Sequence, residues 1–142
     1  MNGSEFIALA GRLALSENSD EACFRSATSR AYYGAFHLAK GFLQSTGVKV
    51  PEGAQAHGRM PMYLKESGHL DAQTAGSLLE DLHGDRIQAD YNLGNAEAGS
   101  KPFAQLKLVT ARRIESKLAA CRVAGSQIGA AINEWKKLVH EP

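Results

Sequence analysis

Two short segments hold residues whose types and spacing could do chemistry. In Ser29-Arg-Ala-Tyr-Tyr-Gly-Ala-Phe-His37, residues Arg30, Tyr33 and His37 recur at spacings of three and four. Such spacing puts them on one face of a helix. A cation, a phenol and an imidazole then share one small volume, and the imidazole can serve as general acid or base. Ser26 and Lys40 extend the stripe. A lone helical histidine is more often a satisfied structural residue, and a lone tyrosine more often packs.

The second segment is Arg86-Ile-Gln-Ala-Asp-Tyr91. Arg86 follows Leu82 by four residues and Leu79 by seven, so it points where the leucines point; Ala89 and Leu93 continue the stripe. A guanidinium there either snorkels at the bundle edge or sits in a cleft, where it binds phosphate or stabilises developing negative charge. Snorkelling is the commoner fate. Asp90 can pair with Arg86 or reach Arg30 on a neighbouring helix, and a buried pair of that kind is mainly architectural. Tyr91 packs or hydrogen-bonds a phosphate. His83, three residues before Arg86, can line the same cleft.

Helical periodicity must position these groups, because strand-like alternation is almost absent. A first helix is expected from about Ser4, as N-cap, to Ser16, with Phe6, Leu9, Leu13 and Ala10 inward. Ser19 is expected to cap a second helix that runs to Leu43 or Ser45. That helix is apolar almost all round, as a central bundle helix is. Residues 47–55 read as a loop. A short third helix spans about His57 to Glu66, and Pro61 must lie in its first turn or break it. Asp71 is expected to cap a fourth helix that reaches Leu93, with Gly94 as its stop. Gly76 and Gly84 weaken that helix or permit close helix contact. Ser100 and Pro102 open a fifth helix, marked by Leu106, Val109 or Thr110, Arg113 or Ile114, Leu118 and Cys121. Gly125 divides it from an amphipathic segment, Ile128 to about Val139, that carries Trp135. The expected fold is an all-α, antiparallel bundle of four to five helices over residues 1–124, with residues 125–142 as a helical extension packed on the same domain.

Composition narrows the function classes. At 142 residues the chain is one domain with room for a sizeable core. Its net charge of +1 argues against a broad electrostatic grip on nucleic acid, though not against a local one. Arg112-Arg113 and Lys136-Lys137 read as solvated helix faces. Cys23 and Cys121 are the two cysteines, far apart, and read as buried thiols of a cytoplasmic protein. No histidine has metal-site spacing, and neither a phosphate-binding Gly-Lys-Ser/Thr loop nor a Gly-x-Ser-x-Gly elbow is present. No cofactor, metal or membrane association is expected.

The motifs Ser29-Arg-Ala-Tyr-Tyr-Gly-Ala-Phe-His37 and Arg86-Ile-Gln-Ala-Asp-Tyr91, with His57 opening a short helix between them, resemble the HEPN-domain family. The similarity is to its short stand-alone bacterial and archaeal members, and covers about residues 4 to 122. The resemblance implies a helical bundle paired into a homodimer. It also implies one of several activities: metal-independent ribonuclease, RNA or nucleotide binding, or service as an interaction module. Many relatives of this kind are toxin–antitoxin or defence components that act with a small nucleotidyltransferase antitoxin. The nuclease members pair an arginine with a histidine that follows shortly after it. Here Tyr91 stands where that histidine could be, and no histidine follows Arg86 until His140. Phenol is a poor base at neutral pH beside imidazole, so His37 or His83 would have to approach Arg86 in space.

Three classes therefore stay open: an RNA- or nucleotide-binding protein, a metal-independent endoribonuclease toxin that uses Arg86, and a non-catalytic structural module. The candidate catalytic residues are Arg86, Tyr91 and His37. The candidate binding residues are Arg30, Tyr33, Asp90 and His83.

Overall fold

The computed structural model describes residues 1–142 as six α-helices: α1 (Gly3–Leu15), α2 (Glu21–Ser45), α3 (Gln55–Lys65), α4 (Leu70–Tyr91), α5 (Lys101–Ala120) and α6 (Gly125–Leu138). Single 3₁₀ turns at Glu97–Gly99 and Arg122–Ala124 lead into α5 and α6. The fold is the expected all-α bundle, with no strand. No helix is long and apolar enough to cross a membrane.

Several helix starts differ from expectation by one or two residues; at α1 and α2 the reason is that a neighbour caps better. Asn2, not Ser4, caps α1 in a reciprocal box: its side chain takes the Ser4 N–H, and Glu5 takes the Asn2 N–H, both at 2.8 Å. Asp20, not Ser19, caps α2 by accepting the Cys23 N–H. The Ser19 hydroxyl donates instead to the Leu13 carbonyl. α4 starts after His69, without a side-chain cap, while Asp71 pairs with Lys117 of α5 at 3.1 Å. Ser100 caps α5 as expected, with Pro102 in its first turn.

Pro61 neither opens nor breaks α3; it lies buried inside the helix. It leaves the His57 carbonyl without its helical donor, but the helix is held by packing on α4. Gly76 of α4 permits that contact, since a Cβ there would lie 2.8 Å from the Pro61 carbonyl oxygen. Gly84 faces open space and plays no such part.

α2 is central and packs against α1, α3, α4 and α5. Its Ala31, Tyr32, Ala35, Phe36, Ala39, Phe42 and Leu43 lie in the main core, which also takes Ile128 and Ile132 of α6. Two expected faces are corrected. α1 buries Gly3, Ile7, Ala10, Gly11 and Ala14, leaving Phe6, Leu9 and Leu13 only half-buried. α5 buries Ala104, Leu108, Ala111, Ile114 and Leu118, whereas Leu106 and Val109 face outward. Close packing selects small residues on α1, and the inner face of α5 mixes Ala104 and Ala111 with Leu108, Ile114 and Leu118, so a large apolar side chain is by itself a poor guide to the inner face. The α1–α2 crossing is tightest at Gly3 and Gly34, where a Cβ on Gly34 would lie 2.7 Å from the Gly3 carbonyl oxygen. That approach brings Phe6 onto the polar stripe of α2.

Cys121 is buried, but Cys23 is only half-buried near the start of α2. Lys136 is not on a solvated face. It is buried, donates to the Lys49 carbonyl at 2.9 Å and lies over the Tyr63 ring, so α6 is tied to the segment after α2. Burial lowers its pKa.

Candidate functional site

The two segments singled out in the sequence meet where the first half of α2 faces the last turns of α4. Arg86 donates through Nε to Asp90 Oδ2 at 2.8 Å. The same carboxylate oxygen accepts from Ser29 Oγ at 3.1 Å, and Ser29 Oγ accepts from Arg30 Nη2 at 3.4 Å. Asp90 thus pairs with Arg86, as its i,i+4 spacing allows, and meets Arg30 only through Ser29. The terminal nitrogens of Arg86 have no hydrogen-bond partner, and the side chain is 14% exposed.

The rings and cations alternate. The Arg86 guanidinium carbon stands 5.4 Å from the Tyr91 ring centre and 5.1 Å from that of Tyr33. The Arg30 guanidinium carbon stands 5.1 Å from the Tyr33 ring and 5.3 Å from that of Phe6. Phe6 in turn stacks on His37 at 5.7 Å. The order is Tyr91, Arg86, Tyr33, Arg30, Phe6, His37. Cation–π contacts of this kind contribute about 0.5–1 kcal/mol each where partly exposed. They keep the guanidinium planes oriented without consuming all of their N–H donors.

A second cluster lies behind Tyr33. The Tyr32 hydroxyl is 2.5 Å from His57 Nδ1. His57 and His83 stack nearly parallel at 5.1 Å, and His83 also stacks on Tyr32 at 5.2 Å. Burial lowers the pKa of His83, and the Arg86 charge adds to it. Burial lowers that of His57, helped by His83 and Arg86. Burial raises the Tyr32 phenol well above its usual range. A protonated phenol donating to Nδ1 puts the His57 proton on Nε2. Both imidazoles are therefore neutral near pH 7; the acceptor nitrogen of His57 is engaged by Tyr32, whereas no hydrogen bond occupies a His83 ring nitrogen.

His37 is apart from this group. It is exposed, two turns along α2 from Arg30, and reaches the rest through Phe6 and, edge-on at 5.4 Å, through Phe36. Burial lowers its pKa, with Lys40 and Arg30 adding to it. Of the two histidines that could stand in for a nuclease base, His83 neighbours Arg86 and His37 does not. Tyr91 is 71% exposed at the end of α4. No three His, Cys, Asp or Glu side chains converge as metal ligands would.

What places the α4 end is Arg25, which the sequence did not single out. It is 7% exposed. Nη1 donates to the carbonyls of Gln88, Ala89 and Asn92, and Nη2 to those of Leu93 and Asn95, the shortest being 2.8 Å. Nε pairs with Glu21 at 3.0 Å. A single guanidinium thus satisfies the carbonyls that a helix C-terminus leaves open and meets the negative end of its dipole. This ends α4 at Tyr91, so Leu93 lies past the helix, 71% exposed, and not on its inner stripe. Arg25 was discoverable: it lies on the same three-and-four spacing as Thr28, Tyr32, Phe36 and Leu43, and four residues after Glu21. Phe6, Ser29 and the Tyr32–His57 contact were also missed as site features. Each joins different helices, and no local spacing reports such a contact.

A groove of about 910 Å³ lies between the start of α1, the second half of α2 and the end of α5. Phe6 and His37 line it, so it meets the far end of the ring–cation series. Comparison with protein-family models, with curated proteins and with solved structures finds no match.

Proposed function

We propose that the chain binds RNA or a nucleotide through Arg86, Tyr33 and Arg30, as a HEPN-like component of toxin–antitoxin or defence type. In this reading it is a homodimer that acts with a nucleotidyltransferase partner. The observation that carries it is the state of Arg86. Its Nε is fixed by Asp90 while its terminal N–H groups stay free between two tyrosine rings. A guanidinium so held suits a phosphate oxygen, and the exposed Tyr91 ring beside it suits a base. The test is binding of a labelled oligouridylate to wild type, Arg86→Ala and Arg30→Ala. Each variant is expected to lose about tenfold in affinity. Equal affinity in all three proteins rejects the reading.

A second reading, metal-independent ribonuclease, gains from His83. Such cleavage needs a base for the ribose 2′-hydroxyl and a cation for charge developing on the phosphate. His83, neutral and close to Arg86, supplies the first role in place of Tyr91. Incubation of transfer RNA in EDTA decides it. Cutting by wild type that is lost in folded Arg86→Ala and His83→Gln, but kept in Tyr91→Phe, is the expected pattern. No cutting leaves binding alone.

A further inference from the structure

We infer that the ligand is an extended single strand of RNA that runs from Arg86 along the ring–cation series into the groove between α1, α2 and α5. This rests on the RNA- or nucleotide-binding reading and names the ligand within it. A mononucleotide needs one cation and one free ring face. Here two cations follow one another, Arg86 and then Arg30, held in series by Tyr33 and Phe6, each of which has protein groups on two sides, while the exposed Tyr91 leaves ring surface for a base. The series continues past Arg30, because Phe6 and His37 also line the groove. The groove offers both surfaces that a strand needs. The half-buried Leu38 gives an apolar patch for a base, and Lys40 and Arg122 give cations for the backbone. Arg122 has no carboxylate partner, and Lys40 meets only the exposed Glu52, at 4.0 Å. Glu115 is the one acidic residue lining the groove.

A duplex fits this arrangement poorly. Its bases are stacked on one another and cannot lie against protein rings, whereas the bases of a single strand are free to do so. Duplex binding also leans on a broad array of phosphate contacts, and a chain with net charge +1 has no such array.

The experiment is fluorescence anisotropy with labelled uridine mono-, di-, tetra- and octanucleotides, which remain unstacked. A duplex of matched phosphate count is run beside them. Affinity is expected to climb by about tenfold or more from the dinucleotide to the octanucleotide, with the duplex no better than the dinucleotide. The double variant Lys40→Gln/Arg122→Gln, both on the surface, is expected to lose about tenfold for the octanucleotide and nothing for the dinucleotide. Affinity independent of length, yet sensitive to Arg86→Ala, overturns the strand path and leaves nucleotide binding at Arg86 standing. Equal or tighter binding of the duplex also overturns it. No binding of any uridylate overturns the nucleotide-binding reading and the strand path together.

Discussion

Two arginines reach the last turns of α4, and the protein uses them in opposite ways. Arg25 is buried and saturated: each of its three nitrogens has an oxygen partner, five of the six being backbone carbonyls. Arg86 donates one hydrogen bond, to Asp90, and spends its planar surface on two tyrosine rings. An arginine whose donors are all used can hold a fold together but cannot hold a ligand. One with free donors in an oriented, partly dry setting can do the second and contributes little to the first. What separates the two arginines is hydrogen-bond saturation; arginine content or burial alone would not.

The sharpest way to break this comparison is to remove Arg25. Arg25→Ala strips the partners from the carbonyls at the end of α4, and is expected to destabilise the protein by about 3–5 kcal/mol. Urea unfolding measures it. A loss below about 1 kcal/mol would show that water replaces the guanidinium freely.

Next in size is Gly34→Ala. Its Cβ would lie 2.6 Å from Ile7 Cγ1 and 2.7 Å from a backbone oxygen that cannot yield. Overpacking of this kind costs about 1–3 kcal/mol. Because α1 carries Phe6, the variant is also expected to weaken RNA binding, read by titration beside the unfolding curve.

Arg86→Ala is expected to cost about 2 kcal/mol of stability, less than Arg25→Ala, since it removes one hydrogen bond and two partly exposed cation–π contacts but leaves Asp90 with Ser29. A loss as large as that of Arg25→Ala, with no RNA bound by wild type, would make the cluster a structural network instead.

The smallest expected effect is on pH. Burial holds the pKa values of His57 and His83 below the ordinary 6.5. As pH falls through 6.5 the unfolded chain takes up protons before the folded one, so stability is full above that value and declines below it. The melting temperature of wild type is expected to fall on acidification, and that of His83→Gln to fall less. An identical pH profile for the two proteins removes His83 from the titrating set. His37, lowered for similar reasons, leaves a residual slope in both.

Much of this arrangement was legible in the sequence, and the part that was not has a physical reason. The central place of α2 followed from its apolar circumference, and the meeting of Arg86 with Asp90 from i,i+4 spacing. Ser100 and Pro102 marked the start of α5. At α1 and α2 two polar residues competed for the cap: the reciprocal box with Glu5 settled α1 on Asn2, and the Leu13 carbonyl drew the Ser19 hydroxyl away from α2. At α4 Lys117 holds Asp71, and the helix starts without a side-chain cap. Inner faces of α1 and α5 were misread because close helix contacts bury glycine and alanine. Lys136 and Arg25 were hidden for a shared reason. Each is a cation buried against backbone carbonyls contributed by a distant segment, and neither segment's own pattern records the other.

The most direct test is a titration of labelled octauridylate against wild type and Arg86→Ala, with thermal unfolding measured on the same preparations. The expected result is a loss of about tenfold or more in affinity, with a melting temperature lowered by about 6 °C, so that the protein stays folded at about 25 °C. Unchanged affinity in Arg86→Ala, or no binding by folded wild type, would contradict the assignment of Arg86 as the ligand-binding arginine.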